Sequence, residues 1–219
     1  MPAGEKASEG RFAFLNQVHG NNIAVIEDEK QVEKPGFYHF LKADGIVTNI
    51  SHLTLLVMTA DCLSIFFIVL KRGPEAQKPA SDWVGLAHAG WRGTRQEIAR
   101  KTISLLRERS GCRPEDIFVA FGPVIGSAHY EVGSEFQQYF PASTDRRRLF
   151  DPQPALRRIN EKWLLDLACE NTRQLREAGI PKAHLVNLKI CTVDENSHFY
   201  SSRKEKDAAG RMISFITKI

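Results

Sequence analysis

The sequence predicts an α+β fold, with a single domain of mixed β-sheets in a sandwich-like arrangement flanked by helices. Short apolar runs typical of strands recur along the 219 residues, and only two segments have the periodicity of a long amphipathic helix. No internal repeat and no long linker divides the chain. Strands interspersed with so few helices do not form a regular βαβ array. We therefore expect one domain over residues 11–219, preceded by a flexible tail over residues 1–10.

Composition and charge narrow the class of protein. Hydrophobic residues make up 42% of the chain, enough for a substantial core, and the formal net charge is only +4. The densest basic run, residues 146–148, favours a solvated turn, and nothing resembles the basic and aromatic clusters of a nucleic-acid-binding surface. The slight positive balance remains compatible with small acidic ligands such as phosphate.

Three features predict a soluble, cytoplasmic protein without membrane contact. The first ten residues lack the apolar segment of a secretory signal. The four cysteines form no CxxC pair, as expected for thiols in a reducing compartment. The apolar run 53–70 carries Asp61 at its midpoint, a charge that a membrane span would bury at high cost. Two buried strands joined by a polar corner account better for this run.

The remaining elements follow from periodicity and turn residues. Residues 11–20 are predicted to begin as a short strand and to end in a polar turn, and residues 23–27 to form the return strand of a hairpin-like unit. Further strands are predicted at 46–48, 84–87, 117–121, 184–187 and 212–216. Loops are predicted at 27–42 and 71–82, and irregular structure at 146–158. Helices are predicted at 94–109, at 134–140 and at 160–178. The first helix begins with a capping-box pattern, Thr94 and Glu97, and Gly111 ends it, while Gly179 ends the last helix.

Three polar corners interrupt otherwise apolar strands: QVHG, TADC and HAGWRG. They offer His19, Cys62 and His88, which are far apart in the sequence and would need the fold to bring them together. Two imidazoles and one thiolate suit Zn²⁺ or copper, and three protein ligands leave a coordination position open for water. A metal there would lower the pKa of that water and make it a nucleophile.

Two alternative uses of the same residues stay open. Cys62 could be a nucleophile with His88 or His19 as its base, oriented by Asp44 or Asp61. Alternatively, Cys62 is a small buried apolar side chain and His88 only bonds to the backbone. Spacing alone does not choose among the three.

The motifs occur in a recognisable order: QVHG, ADG, TADC, HAGWRG, GPVIGSAHYEV and the closing CT, SSR and GRM. Together, over residues 12–216, they resemble the laccase-domain family, also called the polyphenol-oxidase-like or purine nucleoside phosphorylase family. The resemblance implies a single α+β domain and a metal, usually zinc, held by His19, Cys62 and His88. It also implies phosphorolysis of adenosine, inosine, guanosine and methylthioadenosine, and deamination of adenosine. The partners would then be purine nucleosides and phosphate.

The older copper laccase label fits the residues poorly as an activity. A multicopper oxidase needs many histidine ligands, and only two of the seven histidines lie in plausible site motifs. Copper remains a possible occupant of the metal site.

Roles for the motif residues follow as hypotheses. In deamination the metal would activate water for attack on C6 of adenosine, with Asp61 transferring a proton, and in phosphorolysis Arg92 would steady phosphate. Asp44 could instead hold a ligand histidine, and Trp91 could stack on a base or simply be a buried turn residue. The predicted catalytic residues are His19, Cys62, His88, Asp61 and Arg92. The predicted substrate-binding residues are Gln17, Asp44, Thr59, Trp91 and Arg203.

Departures from the family pattern keep two further functions open. Family members usually carry an upstream Arg- and Gly-rich segment before QVHG, and this sequence begins almost at that motif. His129 stands where family members often have a cysteine, and it could be an additional metal or substrate contact. SSRK replaces the family's more usual S-x-R-R, so only Arg203 matches that motif. The alternatives are a cysteine hydrolase or deamidase using Cys62 and His88, and a non-catalytic metal-binding protein. The oligomeric state stays open, with a monomer plausible.

Overall fold

The computed structural model describes residues 10–70, 82–140 and 155–219. These residues form thirteen strands and four α-helices, joined by 3₁₀ turns and loops. The strands are β1 (Arg11–Asn16), β2 (Ile23–Ile26), β3 (Gly36–Leu41), β4 (Gly45–Thr48), β5 (Leu53–Thr59), β6 (Leu63–Val69), β7 (Trp83–Ala89), β8 (Ile117–Phe121), β9 (Glu131–Val132), β10 (Leu156–Ile159), β11 (Lys162–Leu165), β12 (Leu185–Asn187) and β13 (Met212–Thr217). The helices are α1 (Trp91–Arg95), α2 (Ile98–Ser110), α3 (Leu167–Glu177) and α4 (Ser202–Glu205).

Within the described residues, the strands form three sheets of unequal size. A six-stranded mixed sheet has the order β12-β8-β6-β7-β4-β2, and a four-stranded mixed sheet has the order β13-β5-β1-β3. A small antiparallel sheet has the order β10-β11-β9. The α+β class with mixed sheets and few helices is therefore confirmed.

The six-stranded sheet separates two apolar cores. One core joins β1 and β5 to β4 and β7, and its members include Leu55, Ile46 and Leu86, all without exposed surface. The other packs the opposite side of the sheet against α2 and α3 through side chains such as Phe67, Ile103 and Leu175. β7 faces both cores, which explains why every residue from Trp83 to Ala89 is buried.

The chain crosses from the four-stranded to the six-stranded sheet at three successive corners. These corners lie between β1 and β2, between β3 and β4, and between β5 and β6. They carry His19, Asp44 and Cys62 respectively. Because all three crossings occur near one end of β7, the alternation of strands between the sheets brings polar side chains from distant parts of the sequence to one place.

Several sequence predictions are confirmed. The run 53–70 forms two strands, β5 and β6, with a corner between them. Gly111 and Gly179 have left-handed backbones, with φ of 67° and 95°, directly after α2 and α3, the conformation that favours glycine at a helix end. Among the described residues, no helix is both long and apolar enough to cross a membrane.

The prediction of a hairpin at residues 11–27 is wrong, and so is the loop predicted at 27–42. β2 pairs in parallel with β4, not with β1, because the polar turn sends the chain into the other sheet. Residues 36–41 form β3, which lies parallel to β1 at the sheet edge, and Glu29–Val32 forms a 3₁₀ turn. The charged, glycine-containing sequence around β3 is typical of a loop, but an edge strand such as β3 needs only one apolar face.

The helix predicted at 94–109 is two helices, and the capping box is wrong. Thr94 lies inside α1, fully buried, and accepts a hydrogen bond from Asn171 Nδ2 at 2.9 Å. Glu97 adopts a left-handed backbone with φ 58° between α1 and α2, and its carboxylate pairs with Arg100. The turn exists because the short α1 must bend away from β7 before α2 can pack on the sheet.

The helix predicted at 160–178 begins only at Leu167. Residues 162–165 form β11, which pairs with β10 and β9, and Asp166 then caps α3 by accepting the Cys169 N–H at 2.8 Å. Trp163 and Leu164 therefore belong to a strand. The irregular stretch predicted up to residue 158 includes β10, while residues 141–154, with the basic run 146–148, lie outside the described residues, as do residues 1–9 and 71–81.

Candidate active site

The fold brings His19, Cys62 and His88 together, although they come from three separate elements. Their ligand atoms all lie within 4.8 Å of one another. The two imidazole rings stand edge to face, with centroids 4.8 Å apart. His19 is exposed and His88 is buried, so the cluster lies at the boundary between core and solvent. Such a three-ligand group with one open side is the arrangement of a site that can bind a metal and a further small ligand.

Asp44 organises two of these three residues. Its Oδ1 accepts the His88 Nδ1–H at 2.8 Å and the His19 N–H at 2.9 Å. Its Oδ2 accepts the backbone N–H groups of Val18 and Gly20 at 3.2 and 2.7 Å. Burial alone would raise the pKa of Asp44, but these hydrogen bonds, led by that from His88, lower it. The carboxylate fixes the His88 tautomer and leaves Nε2 as the ring nitrogen available to a ligand.

Gly90 is required by the close approach of the cluster to the chain that follows β7. A Cβ atom at this position would lie 2.9 Å from Cys62 Sγ and 3.3 Å from His19 Cδ2. The separation from Cys62 Sγ is too short for a real contact and that from His19 is tighter than most, whereas Gly90 has an extended backbone with φ −71° that any residue could adopt. The glycine of the HAGWRG motif is therefore explained by space, not by conformation.

The surroundings of Cys62 favour its thiolate. Burial by itself would raise the pKa of this thiol, but hydrogen bonds from His19 and His88 lower it to about 7. Burial would likewise lower the pKa of His88, yet its hydrogen bonds to Asp44 and Cys62 raise it to about 9. Without a metal, the two groups thus form a thiolate–imidazolium pair near neutral pH.

A cavity of about 300 Å³ opens beside the cluster. Its polar lining residues include His19, Asp61, Cys62, Tyr130 and Arg203, and Ile125 and Leu167 supply apolar surface. This volume falls at the lower end of the roughly 300–1,000 Å³ of small-molecule sites. The combination of polar and apolar walls is typical of such sites.

Asp61 is held in the cavity wall by residues from the end of the chain. Its Oδ1 accepts the Thr192 hydroxyl at 2.7 Å, and its Oδ2 accepts the Arg203 N–H at 2.6 Å. Its backbone φ is 91°, a conformation that residues other than glycine adopt only under constraint. Strained backbones of this kind concentrate at functional sites, and His19 has a positive φ of 58° as well.

Tyr130 and Arg203 also line the cavity. The Arg203 guanidinium lies 5.3 Å from the centre of the Tyr130 ring and donates a hydrogen bond to the Glu131 carbonyl at 3.0 Å. Burial is the main reason that the pKa of Tyr130 is raised, so its hydroxyl stays protonated and can donate a hydrogen bond. The sequence placed Tyr130 in a motif but gave it no role, and it did not single out Thr192. In the structure, Tyr130 is found in the cavity lining and Thr192 is found bonded to Asp61.

Several predicted substrate-binding residues lie outside the cavity lining. Asp44 has no exposed surface, and its hydrogen bonds to His88 and His19 favour the positioning role over direct contact with substrate. Both amide atoms of Gln17 bond to the backbone of Met58 in β5, at 2.8 Å each. Thr59 is buried in β5. The contacts of these three residues favour structural roles, and substrate binding by them stays a prediction.

Trp91 and Arg92 also lie outside the lining. The Trp91 ring packs on Phe136 and Tyr139, with centroids 4.9 and 5.9 Å away, which favours a packed turn residue over a base-stacking one. The Arg92 guanidinium lies 4.5 Å from the centre of the Trp91 ring and is exposed. Of the two predicted arginines, only Arg203 lines the cavity.

Fold and site together define a class: a mixed-sheet domain with a metal-ligand cluster at the junction of two sheets, next to a small-molecule cavity. The family model described as multi-copper polyphenol oxidoreductase laccase matches residues 3–218, and this chain belongs to that family. The resemblance predicted from the ordered motifs is thereby confirmed.

Curated relatives and solved structures agree with this assignment. The chain is 33% identical to purine nucleoside phosphorylase YlmD of Geobacillus stearothermophilus over 210 residues, covering 94% of this chain and 72% of the relative. It is 31% identical to purine nucleoside phosphorylase YfiH of Escherichia coli, covering 93% and 72% respectively. The crystal structure of YlmD from G. stearothermophilus superposes with a TM-score of 0.75 at 32% identity, over 95% of this chain and 73% of that one. Bacillus licheniformis hypothetical protein YfiH superposes with a TM-score of 0.79 at 30% identity, over 95% and 74%.

Proposed function

We propose that this protein is a zinc-dependent purine nucleoside phosphorylase that also deaminates adenosine. The observation that carries the proposal is the convergence of His19, Cys62 and His88 beside a cavity that His19, Cys62 and Arg203 line. The names of the curated relatives support the same reaction class. Adenosine, inosine, guanosine and methylthioadenosine are the proposed nucleosides, and phosphate is the second substrate.

The three ligand residues fit a zinc ion by their chemistry. Two imidazoles and a thiolate form a borderline donor set, which also keeps copper possible. The lowered pKa of Cys62 provides the thiolate near neutral pH, and the Asp44 hydrogen bond leaves the His88 Nε2 available. When bound, the metal would supply a Lewis acid that activates water or polarises an oxygen of the substrate.

In phosphorolysis, an oxygen of phosphate bonds to the ribose C1′ as the bond from C1′ to the purine nitrogen breaks. The base leaves with the bonding electrons and takes up a proton. Arg203 is the cation of the cavity wall that could hold phosphate, a role that geometry favours for it over Arg92. The protonated Tyr130 hydroxyl could donate a hydrogen bond to phosphate or to a ribose oxygen.

In deamination, water adds to C6 of adenosine and ammonia leaves, so a proton must move from the water to the amino group. Asp61 lies next to Cys62 in the cavity wall and is the proposed carrier. The Thr192 hydroxyl and the Arg203 N–H bond to its two oxygens, which fixes the direction in which the carboxylate faces.

A cysteine hydrolase or deamidase is the second candidate, favoured by one observation. The thiolate–imidazolium pair of Cys62 and His88, with Asp44 behind the imidazole, has the order of groups found in nucleophilic cysteine sites. In that case Cys62 attacks the substrate directly and a metal would inhibit the reaction.

One experiment separates these functions. Metal content of purified protein is measured, and adenosine and inosine are incubated with and without phosphate while the products are resolved by chromatography. Cys62→Ala is compared with Cys169→Ser, which changes a half-buried thiol outside the cavity lining. The proposal expects Cys62→Ala, but not Cys169→Ser, to lose about one zinc ion per chain together with phosphate-dependent release of the base.

The opposite results identify the alternatives. Turnover that survives complete removal of metal, but is lost on alkylation of Cys62, would establish the cysteine enzyme. Bound zinc without turnover of any nucleoside would favour a non-catalytic metal-binding protein. Arg203→Ala and Arg92→Ala form a matched pair: we expect the KM for phosphate to rise about 10–100-fold only in the first.

A further inference from the structure

A second group of metal-ligand side chains lies apart from the cavity lining. His129, Cys191 and Asp194 each offer one ligand atom, and these atoms all lie within 4.8 Å of one another. His129 Nε2 lies 2.7 Å from Asp194 Oδ1. His129 belongs to the segment between β8 and β9, while Cys191 and Asp194 belong to the segment between β12 and α4. None of the three has a role in the function proposed above.

The backbone holds Cys191 in place for this group. Val124 and Cys191 form a parallel bridge between the two segments, with the Val124 N–H bonded to the Ile190 carbonyl at 3.1 Å. The Gly126 N–H donates a hydrogen bond to Cys191 Sγ at 3.2 Å, which fixes the position of the sulfur. A Cβ atom on Gly126 would lie 3.0 Å from that sulfur, so the close approach depends on glycine.

Hydrogen bonding alone does not account for this convergence. The His129–Asp194 pair is solvent-exposed, with side-chain exposures of 37% and 61%, and such surface pairs contribute little to stability. A tetrahedral ion with bonds of about 2.0–2.3 Å holds its ligand atoms roughly 3.3–3.8 Å apart, so only small side-chain movements would be needed here.

We propose that His129, Cys191 and Asp194 form a second metal site that binds a borderline divalent cation such as Zn²⁺ and ties the two segments together. The donor set, one thiolate, one imidazole and one carboxylate, matches that class of ion. The open side of the group faces solvent, so water completes the coordination.

A metal ion at this second site would affect the cavity through residues next to its ligands. Ile125, next to Gly126, donates its N–H to the Asp61 carbonyl at 3.0 Å, and Thr192, next to Cys191, donates its hydroxyl to the Asp61 carboxylate. Both segments therefore reach Asp61, one through its backbone and one through its side chain. A metal at the second site fastens together the two segments that hold this residue.

The test uses Co²⁺ as a spectroscopic probe in the full chain carrying Cys62→Ala, so that the first cluster contributes no thiolate. We expect one thiolate-to-cobalt charge-transfer band that is lost when Cys191→Ser, His129→Asn or Asp194→Asn is added. Cys169→Ser in the same background should keep the band. Zinc added to the metal-free background protein should also raise its Tm, and each added ligand substitution should remove that increase.

Each contrary result overturns the site. The absence of a band in the folded background protein excludes metal binding by Cys191. A band that survives Cys191→Ser comes from another thiol. If the band survives in each of the two variants His129→Asn and Asp194→Asn, cobalt is bound by a cysteine without these two ligands. Because His129 and Asp194 are exposed, these two variants stay informative even if Cys191→Ser fails to fold. Turnover is not measured, so the outcome is independent of the proposed enzymatic function.

Discussion

The two metal-ligand clusters use similar side chains but differ in how the fold supports them. In the first cluster, His88 and Asp44 have side-chain exposures of 3% and 0%, and Asp44 receives four hydrogen bonds. In the second cluster, His129 and Asp194 are exposed and bond mainly to each other. The side chains of the first cluster are therefore held in place without a metal, whereas those of the second would become rigid only on binding one. The difference lies in the carboxylate: Asp44 is buried and holds its histidines in place, whereas Asp194 is exposed.

The largest expected effect comes from changing that carboxylate. Asp44→Asn keeps the size of the side chain but offers one acceptor oxygen, and its amide group would face a backbone N–H donor. We expect about 2–4 kcal/mol lower free energy of unfolding for the metal-free protein, since buried polar groups lose their partners. Zinc affinity of the first cluster should fall about 10–100-fold. Urea unfolding and a competitive zinc chelator measure the two quantities.

Asp194→Asn is the matched change in the second cluster. The carboxylate is exposed, so we expect less than about 0.5 kcal/mol change in the metal-free protein. Equal losses of stability in Asp44→Asn and Asp194→Asn would contradict the view that only the first cluster is held in place by the fold.

Two glycines provide the next comparison. Gly90→Ala places a methyl group 2.9 Å from Cys62 Sγ, and Gly126→Ala places one 3.0 Å from Cys191 Sγ. The first methyl also meets His19, so two ligands of one cluster must move, and we expect at least about tenfold weaker zinc binding there. In Gly126→Ala only the second cluster should weaken. Isothermal titration with zinc in the two single variants checks this, and loss of binding at the wrong cluster would refute the assignment.

The ligand types of the first cluster were predictable because each lies in a polar corner at or near a strand end. The identity of the cavity was not. Thr192 and Arg203 reach Asp61 across more than a hundred residues, and no local pattern encodes such a contact. Arg92 looked like the phosphate ligand because it follows the histidine motif, yet its side chain turns back over Trp91.

The fold was predictable where burial on both faces made strands continuous and apolar, as in β5–β7. It was missed where one face is exposed: β3 lies at a sheet edge, and its charged surroundings resemble a loop. Residues 162–165 have an apolar run that fits a helix or a strand equally well. Pairing with β9 and β10, a long-range event, decided for the strand.

The pH dependence of the first cluster gives a smaller but specific test. In metal-free protein, the thiolate of Cys62 should appear as the pH rises through about 7, whereas an ordinary cysteine ionises near about 8.5. Zinc needs both a neutral His88 and the Cys62 thiolate, so its affinity should fall as the pH is lowered through about 9, the pKa of His88, and further through about 7, the pKa of Cys62. The ultraviolet absorbance of the thiolate, taken as the difference between the wild type and Cys62→Ser, reports the titration. A midpoint above about 8 would mean that His19 and His88 do not stabilise the charge.

The last comparison concerns Thr192, which links the segment of the second cluster to Asp61, the neighbour of Cys62. Thr192→Val removes the hydroxyl that donates to Asp61 Oδ1, while the Arg203 N–H still bonds to Oδ2. Because one of two fixed donors is lost, we expect kcat for nucleoside turnover to fall about tenfold, as for the loss of a hydrogen bond to a charged group. Thr192→Ser keeps the hydroxyl and should retain most of the activity. Zinc content should be unchanged in both, since Thr192 belongs to neither ligand set. A parallel loss of zinc would mean that Thr192 supports the metal clusters and not the orientation of Asp61.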